Sequence, residues 1–175
     1  MSVRLESIDR LVVAKGLEDY DKNFAIMADM YKNYIDELMI YTEHPLGGVL
    51  REPADTDNYV LITYKNKPVG FVIYSVFPEA LTRHDVLIEE FYIKHDKRRK
   101  GIGKAFVKLM IKAAEYQNMD ISLSILDKNE TAKRFWDKTF GMNGYMECFI
   151  RQNIHAHDGD RSELRWHYWT KSVII

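Results

Sequence analysis

The sequence predicts an α/β fold in which a sheet with a parallel strand pair at its centre packs against helices. Two apolar runs separated by a short turn come early, and an alternation of strand and helix patterns follows. A hairpin is antiparallel, whereas strands joined through a helix usually run parallel. No linker, repeat or low-complexity tract divides the 175 residues, so residues 1–175 are expected to form one domain.

The first half of the chain predicts a strand, a long helix and a hairpin. RLVVAKG, residues 10–16, is typical of a strand that ends in a turn. Over residues 23–41, apolar side chains recur at spacings of three and four, which predicts an amphipathic helix with a core-facing stripe of Met and Tyr. REPADTDN, residues 51–58, has the composition of a loop. YVLITY (59–64), the turn KNKP and VGFVIYSVF (69–77) predict the hairpin.

The second half alternates between strand and helix patterns. VLIEEFYI (86–93) predicts a strand, and the apolar face over residues 105–116 predicts a helix of about three turns. ISLSIL (121–126) predicts the next strand, and a short helix that Gly141 ends follows it. Two terminal strands, GYMECFI and ELRWHYWTKSVII, complete the pattern.

Composition and charge restrict the class of protein. Hydrophobic residues make up 46% of the chain, charged residues 29%, and the formal net charge is -1. Such a balance gives no global attraction to nucleic acid or to an acidic membrane. The start of the chain lacks the apolar run of a signal peptide, and no segment approaches the ~20 apolar residues of a membrane span. The single cysteine, Cys148, is expected to be a buried structural thiol, and a cytoplasmic protein is the expectation.

A basic, glycine-containing segment, KHDKRRKGIGKAFVKLM, lies where a strand gives way to a helix. Backbone N–H groups at a helix start have no intrahelical partner, and glycine lets an anion approach them closely. A P-loop would need glycine in place of Arg98 and Ser or Thr in place of Ala105. A dinucleotide fingerprint would need glycine in place of Phe106. The segment is therefore either a solvated helix start or a cradle for another kind of anion.

Two further patterns occur in order around this segment. Residues 98–103 match R/Q-x-x-G-x-G/A, and Asn129, Ala132 and Phe135 match the first positions of N-x-x-A-x-x-F-Y. With the strand before them, they make residues 86–142 resemble the acetyl-CoA-binding core of the GNAT N-acetyltransferase superfamily. The resemblance implies a mixed, mostly antiparallel sheet with a splayed parallel pair at the acetyl-CoA site, flanked by helices. It also implies acetyl-CoA as the co-substrate.

The resemblance assigns roles to backbone groups along the predicted site. The Phe91 N–H would face the developing oxyanion, and the Ile93 backbone would pair with pantetheine. The N–H groups of residues 99–104 would hold the pyrophosphate, and Asn129 would contact the cofactor arm. The cofactor-binding residues it implies are Phe91, Ile93, Arg98, Arg99, Lys100, Gly101, Ile102, Gly103, Lys104, Asn129 and Trp136.

Acyl transfer to an amine also needs a base, because an alkyl amine with a pKa near ~10.4 is mostly protonated at neutral pH. Glu89 and Glu90 lie in an otherwise apolar strand, where carboxylates are costly without a partner. Strand alternation predicts that they point to opposite faces. A similarity to polyamine acetyltransferases over Ile88–Ile93 favours Glu89 as a base acting through water. A structural ion pair is the alternative for Glu89, and Glu90 and Asp85 are the reserve bases.

The candidate acid departs from the family pattern. The family often carries, after the position of Phe135, a tyrosine that can protonate the leaving thiolate, but this chain has Trp136. An indole N–H is far too weak an acid for this role. Tyr145, Tyr92 or water would serve instead, or the thiolate leaves unassisted. The catalytic residues proposed from the sequence are Glu89, Phe91 and Tyr145.

The remaining polar and aromatic stretches predict a loop and a packed strand. HAHDGD, residues 155–160, contains metal-ligand residue types, but its glycine and polarity predict a loop lining the acceptor cleft, and no metal is assigned. The aromatic residues near the C-terminus, Trp166, Tyr168 and Trp169, are expected to pack a terminal strand or a homodimer interface rather than stack on nucleic acid.

The resulting functional expectation is an N-acetyltransferase that moves an acetyl group from acetyl-CoA to a primary amine. The amine, on a small molecule or a protein, would attack directly in a ternary complex. A catalytically silent acyl-CoA-binding regulator of the same fold is the alternative. A nucleic-acid binder using the basic segment is disfavoured by the net charge of -1. Helix one and the loops over residues 51–58 and 151–163 are expected to line the acceptor side.

Overall fold

The computed structural model describes residues 7–11, 20–42, 46, 49–53, 57–77, 84–117, 119–126, 128–140, 145–152 and 162–169. The strands are β1 (Ser7–Leu11), β2 (Asp57–Tyr64), β3 (Lys67–Phe77), β4 (His84–Ile93), β5 (Met119–Leu126), β6 (Tyr145–Gln152) and β7 (Ser162–Trp169). The α-helices are α1 (Tyr20–Leu38), α2 (Ile102–Tyr116) and α3 (Glu130–Phe140), and 3₁₀ turns occupy Met39–Tyr41 and His95–Lys97. None of these described helices is long and apolar enough to cross a membrane.

The strands form one mixed sheet in the order β1-β2-β3-β4-β5-β7-β6. Neighbouring strands are antiparallel except for β4 and β5, which are parallel and are connected by α2. The predicted fold class is therefore confirmed, including the central parallel pair. The first strand includes residues before the predicted start at residue 10, because pairing with β2 involves Ser7 to Leu11, and residues 12–16 of the predicted span lie outside the described part. Helix α2 begins at Ile102, earlier than predicted, so Gly103 lies in the first turn of the helix, Gly101 is its N-cap, and residues 98–100 form the loop before it.

Each face of the sheet has its own buried core. On one face, α2 and α3 cover the sheet, and the buried residues of that cluster include Val72, Ile88, Phe106, Val107 and Phe140. On the other face, α1 packs through the predicted Met and Tyr stripe, where Met27 and Met30 are fully buried against Leu61 and Phe71. Burial of this apolar surface on both faces is the main stabilising term of such a layered fold.

The hairpin of β2 and β3 turns tightly at two residues. Lys65 and Asn66 both adopt positive φ values, 52° and 56°, as a two-residue turn of the primed type requires. Asparagine tolerates this region better than most residues, whereas lysine does not gain from it. The predicted hairpin is confirmed, and its turn is shorter than the KNKP stretch because Lys67 already pairs with Tyr64.

A β-bulge interrupts β4. Tyr74 of β3 lies opposite Ile88 and Ile73 lies opposite Glu90, so Glu89 has no partner position on β3. An extra residue of this kind shifts the side-chain alternation of its strand by one position. The shift is visible in the core, because Ile88 before the bulge and Phe91 after it both pack in the cluster under α2 and α3.

Strands β4 and β5 separate immediately after this bulge. Their parallel pairing begins at His84 and Met119 and ends at Ile88 and Leu123. Beyond it, β4 continues along β3 to Ile93, while β5 continues along β7 to Leu126. The described sheet therefore contains an opening between its two central strands, as the resemblance implied.

Candidate active site

The first turn of α2 presents backbone N–H groups beside this opening. Gly101 occupies the N-cap position in the left-handed region, with φ 81°, and Arg99 has φ 62°. A backbone in which left-handed and right-handed residues alternate turns its N–H groups toward a common concavity, which suits an anion. The first intrahelical bond joins the Ala105 N–H to the Gly101 carbonyl at 2.9 Å, and no side chain caps the helix. A first turn without a side-chain cap is the kind of local structure that suits a phosphate oxygen.

The second glycine brings three predicted motifs together. A Cβ on Gly103 would lie 3.3 Å from the ring of Phe135 and 3.6 Å from the side chain of Ile93. The end of β4, the start of α2 and the middle of α3 therefore meet at this glycine. Absence of a side chain allows this approach, so the sequence spacing of these motifs reflects real contact.

Arg98 supports the loop from the side of α1. Its Nε donates to the Ile93 carbonyl at 2.7 Å, and its Nη2 pairs with Glu37 at 2.5 Å. The guanidinium also lies over the ring of Tyr92, 5.4 Å from its centroid. The Tyr92 hydroxyl donates to Glu37 at 3.2 Å, and burial, followed by the charge of Glu37, raises the pKa of Tyr92 to about 12. The Arg98 side chain is thus a strut between α1, β4 and the loop, and it does not point freely at an anion.

Backbone alternation directs Phe91 and Ile93 toward the opening. The Lys94 N–H donates to the Val69 carbonyl of β3 at 2.9 Å. Successive residues of an antiparallel strand present their N–H and C=O groups to opposite sides, so those of Ile93 and Phe91 face away from β3. The contact of the Ile93 carbonyl with Arg98 agrees with this direction. These backbone groups face the side from which β5 has separated.

Asn129 and Trp136 occupy structural positions on α3. The Asn129 Oδ1 accepts the Ala132 N–H at 3.0 Å, which is an N-cap, and the two N–H donors of its amide take no part in that bond. Trp136 is 5% exposed, with its ring centroid 5.3 Å from that of Phe91 and 5.1 Å from that of Phe140. The indole therefore packs directly under the strand residue whose backbone faces the opening.

On the α1 face, Glu89 belongs to a ring of polar side chains. Its two oxygens contact the Ser75 hydroxyl at 2.5 Å and the Arg51 Nη2 at 3.2 Å. Asp57 makes the same two contacts, at 3.1 Å to Ser75 and 2.6 Å to Arg51. The alternative of an ion pair for Glu89 is thus present in the structure. Sequence reasoning missed Ser75, which resembles any other polar residue of a strand. It placed Arg51 and Asp57 only in a loop expected to line the acceptor side.

Glu90 lies on the same face as Glu89. It accepts a hydrogen bond from the Tyr34 hydroxyl of α1, and Tyr34 packs edge-on against Phe71 with ring centroids 5.8 Å apart. Burial, followed by the charge of Glu90, raises the pKa of Tyr34 well above its ordinary value. The prediction that the two glutamates point to opposite faces is wrong, because the bulge at Glu89 cancels one step of the alternation.

Several predicted residues lie outside the part that the structure describes. The side chains of Asp85, Tyr145 and Cys148 and those of the C-terminal aromatic residues are among them, and so is the HAHDGD segment. The described residues contain no group of three or more His, Cys, Asp or Glu side chains that could hold a metal ion.

Comparison with known protein families identifies the class to which this fold belongs. The model of the Acetyltransferase (GNAT) family matches residues 22–142. The chain therefore belongs to the GNAT acetyltransferase family. No curated protein matches the sequence significantly.

Solved structures share the fold at low sequence identity. NAA60 of Arabidopsis thaliana, solved with a bisubstrate analogue, superposes with a TM-score of 0.61 at 13% identity, covering 93% of this chain and 99% of that chain. The ribosomal-protein-S18-alanine N-acetyltransferase of Escherichia coli gives 0.61 at 13% identity, covering 94% of each chain. A Bacillus anthracis chain solved in complex with acetyl coenzyme A gives 0.53 at 18% identity, covering 69% of this chain and 65% of its own.

Proposed function

We propose that this chain is an N-acetyltransferase that moves an acetyl group from acetyl-CoA to a primary amine. The observation that carries the proposal is the separation of β4 from β5 directly beside the glycine-capped start of α2. The separation of the strands leaves backbone groups of β4 facing an opening in the middle of the sheet. The start of α2 offers an anion site beside the end of β4 at which the opening lies. We propose direct attack by the amine in a ternary complex, without an acyl-enzyme.

The direction of the backbone groups supports the proposed cofactor-binding roles. The Ile93 N–H, which faces the opening, would pair with the pantetheine arm, and the Phe91 N–H would meet the thioester oxygen as it gains charge. The N–H groups of residues 99–104 would hold the pyrophosphate, and Asn129 would reach the cofactor arm through its amide. Arg98 would contribute by bracing the loop.

Glu89 is the proposed base and Glu90 the reserve. Glu89 has a side chain that is 28% exposed, so water can connect it to an amine at the opening. An amine must lose its proton before it can attack, and removal of that proton by a held carboxylate supplies this step. Amines on a small molecule or on a protein fit this chemistry equally.

Tyr145 is the proposed acid for the leaving thiolate. Tyr92 fits this role less well, because its hydroxyl is bonded to Glu37 under Arg98 on the α1 face. Trp136 cannot provide a proton of suitable acidity. Water remains the alternative donor.

A catalytically silent acyl-CoA-binding regulator is a second candidate, and the buried indole of Trp136 favours it. That position carries no acid, and the ring is packed among Phe91, Phe135 and Phe140. Replacement Trp136→Tyr separates the two candidates. An enzyme limited by thiolate departure should gain kcat from the added phenol, whereas a silent binder should bind acetyl-CoA and release no thiol before or after the change.

Cellular setting and assembly are also proposed here. We place the protein in the cytoplasm as a single domain over residues 1–175, without a nucleic-acid or membrane partner. Strand β6 lies at an edge of the sheet, so pairing of two β6 edges would form a homodimer through the C-terminal strands.

The deciding experiment measures thiol release from acetyl-CoA against a panel of primary amines. Initial-velocity patterns that intersect, together with an enzyme mass unchanged by acetyl-CoA alone, would support direct attack. Gly103→Glu is the matched negative variant, because a charged side chain at this close contact would block the pyrophosphate site. Calorimetry showing unchanged coenzyme A affinity in folded Gly103→Glu would remove the loop from the proposal.

A further inference from the structure

A closed ring of polar contacts lies on the α1 face, beside the bulge of β4. The Ser75 hydroxyl contacts one oxygen of Asp57 and one oxygen of Glu89, at 3.1 and 2.5 Å. The Arg51 guanidinium contacts the other oxygen of each, at 2.6 and 3.2 Å. Two carboxylates from β2 and β4 therefore share one hydroxyl and one cation.

A count of hydrogens and charges explains why the cation matters. Ser75 has one hydroxyl hydrogen, so it donates to only one of the two carboxylates at any moment. Arg51 brings one positive charge against two negative charges, and its planar fork can serve both at once. The Asp57 side chain is only 3% exposed, so water does little to stabilise its charge. Without Arg51, two close carboxylates would tend to share a proton, as like charges do.

We propose that Arg51 is a positioning residue that, with Ser75, holds Glu89 as a carboxylate directed at the acceptor side of the sheet. The inference rests on the proposed function only for the use of that carboxylate. In the proton-transfer step, an N–H bond of the substrate ammonium breaks and an O–H bond forms on Glu89. The nitrogen keeps the electron pair with which it attacks the thioester carbon. Glu89 then releases the proton to water, which reaches the carboxylate because the side chain is 28% exposed.

Other ionisable groups face the ring from the neighbouring elements. Glu90 lies beside it on β4, Tyr31 and Tyr34 face it from α1, and Tyr59 donates to the Arg51 carbonyl at 3.0 Å. Burial, which outweighs the opposing charge of Arg51, raises the pKa of Tyr59 to about 12. Burial likewise raises the pKa of Tyr31 and of Tyr34. These phenols stay neutral near neutral pH, so they add no charge to the ring. Besides Glu90, the same face carries Glu37, which is bonded to Arg98, and Glu52, which is bonded to Tyr20.

The first test measures unfolding by urea from about pH 3, below the ordinary pKa values of Asp and Glu, to about pH 7 and needs no enzymatic activity. In Arg51→Gln, the folded carboxylate pair should bind a proton more tightly than the unfolded chain does. Stability relative to wild type should therefore be nearly retained at the acid end and fall as pH rises. Adding Asp57→Asn removes one of the two charges and should restore most of the loss. Lys112→Gln, an equal charge change on the exposed side of α2, should show no such pH dependence.

The second test follows the pH dependence of acetyl transfer. In Arg51→Gln, the acid limb of kcat/KM should move up by about one pH unit, and Arg51→Gln with Asp57→Asn should move it back. Arg51→Lys keeps the positive charge but lacks the planar guanidinium that contacts both carboxylates. This variant should therefore leave the acid limb of kcat/KM near its wild-type position and lower kcat. Ser75→Ala should lower kcat in the same way, because it changes orientation and not charge.

Two results would overturn the inference. A stability difference between Arg51→Gln and wild type that is equal at every pH would reduce the ring to a structural contact. The same conclusion follows if the second substitution, Asp57→Asn, restores neither stability nor the acid limb. Absence of acetyl transfer by wild type would overturn the proposed function instead, while the unfolding measurements would still decide the charge state of the ring.

Discussion

Glu89 is the residue on which the proposed chemistry depends most. Replacement Glu89→Gln keeps the shape of the side chain and removes its ability to accept a proton. We expect kcat/KM for an amine to fall by about 100-fold near neutral pH. Part of the rate should return at higher pH, where free amine accumulates. The measurement is a pH profile of thiol release by both proteins.

Glu90→Gln is the natural control for this experiment, because both glutamates lie on the α1 face and differ in their partners. Glu90 is bonded to Tyr34, whereas Glu89 is bonded to Ser75 and Arg51. A large loss in Glu90→Gln with recovery at high pH, and none in Glu89→Gln, would transfer the role of base to the reserve residue.

Tyr92 is expected to make stability depend on pH in the alkaline range. Its pKa of about 12 in the folded chain exceeds the ordinary value of 10.0. The folded state therefore keeps the phenol proton that the unfolded state loses, and stability should fall as pH rises from about 10 through 12. In Tyr92→Phe this decline should be shallower, with a pH-independent loss at neutral pH because the bond to Glu37 is gone. Urea midpoints from neutral pH to about pH 11 measure both effects, and parallel curves for the two proteins would contradict the assignment.

At the scale of elements, the close packing of β3 on β4 gives a sharp prediction at Gly70. A Cβ there would lie 2.2 Å from the Tyr92 carbonyl oxygen, which is backbone and cannot move aside. Gly70→Ala should therefore destabilise the protein by about 3 kcal/mol, the upper part of the range for overpacking. Urea unfolding gives the value.

Gly103→Ala is the matched control, since it adds the same methyl group in a different environment. Its Cβ would meet the ring of Phe135 at 3.3 Å, and that ring can shift by a few tenths of an ångström. Alanine also has a better helix propensity than glycine in the first turn of α2, by up to about 1 kcal/mol. A loss in Gly103→Ala as large as that in Gly70→Ala would show that side-chain contacts limit this core as strictly as backbone contacts.

The elements themselves could largely be predicted from the sequence, because each has a local signature. The stripe of Met27 and Met30 predicted α1, and the apolar runs on either side of the turn at Lys65 predicted the hairpin. The bulge at Glu89 could not be predicted in this way, because it arises from the register between β3 and β4 and leaves no mark on the composition of either strand. A single misplaced step of alternation was enough to put Glu90 on the wrong face.

At the scale of the whole molecule, contacts between distant segments explain what the motifs alone left open. Arg98 matched the cofactor pattern by position, but its guanidinium contacts Glu37, 61 residues earlier in the chain. Arg51 lies 38 residues before Glu89, with which it pairs. Polar pairs of such separation have no periodicity that a sequence could reveal. Motif positions were thus predictable, whereas the partners that assign each side chain its role were not.

The contact between Glu37 and Arg98 leads to a prediction in which two physical effects have opposite signs. Coenzyme A is an anion, so removal of a negative charge by Glu37→Gln should strengthen its binding if only long-range charge matters. Loss of the brace on Arg98 should weaken binding, because the loop before α2 is no longer held against α1 and β4. We expect the second effect to dominate and the dissociation constant to rise by about threefold, consistent with a partly exposed ion pair worth up to about 1 kcal/mol.

Calorimetric titration with coenzyme A measures this dissociation constant, with Glu115→Gln on the exposed side of α2 as the charge-matched control. Tighter binding by Glu37→Gln than by this control would mean that Arg98, once released from Glu37, contacts the phosphates of coenzyme A itself. Arg98 would then be an anion-binding residue and not a brace for the loop.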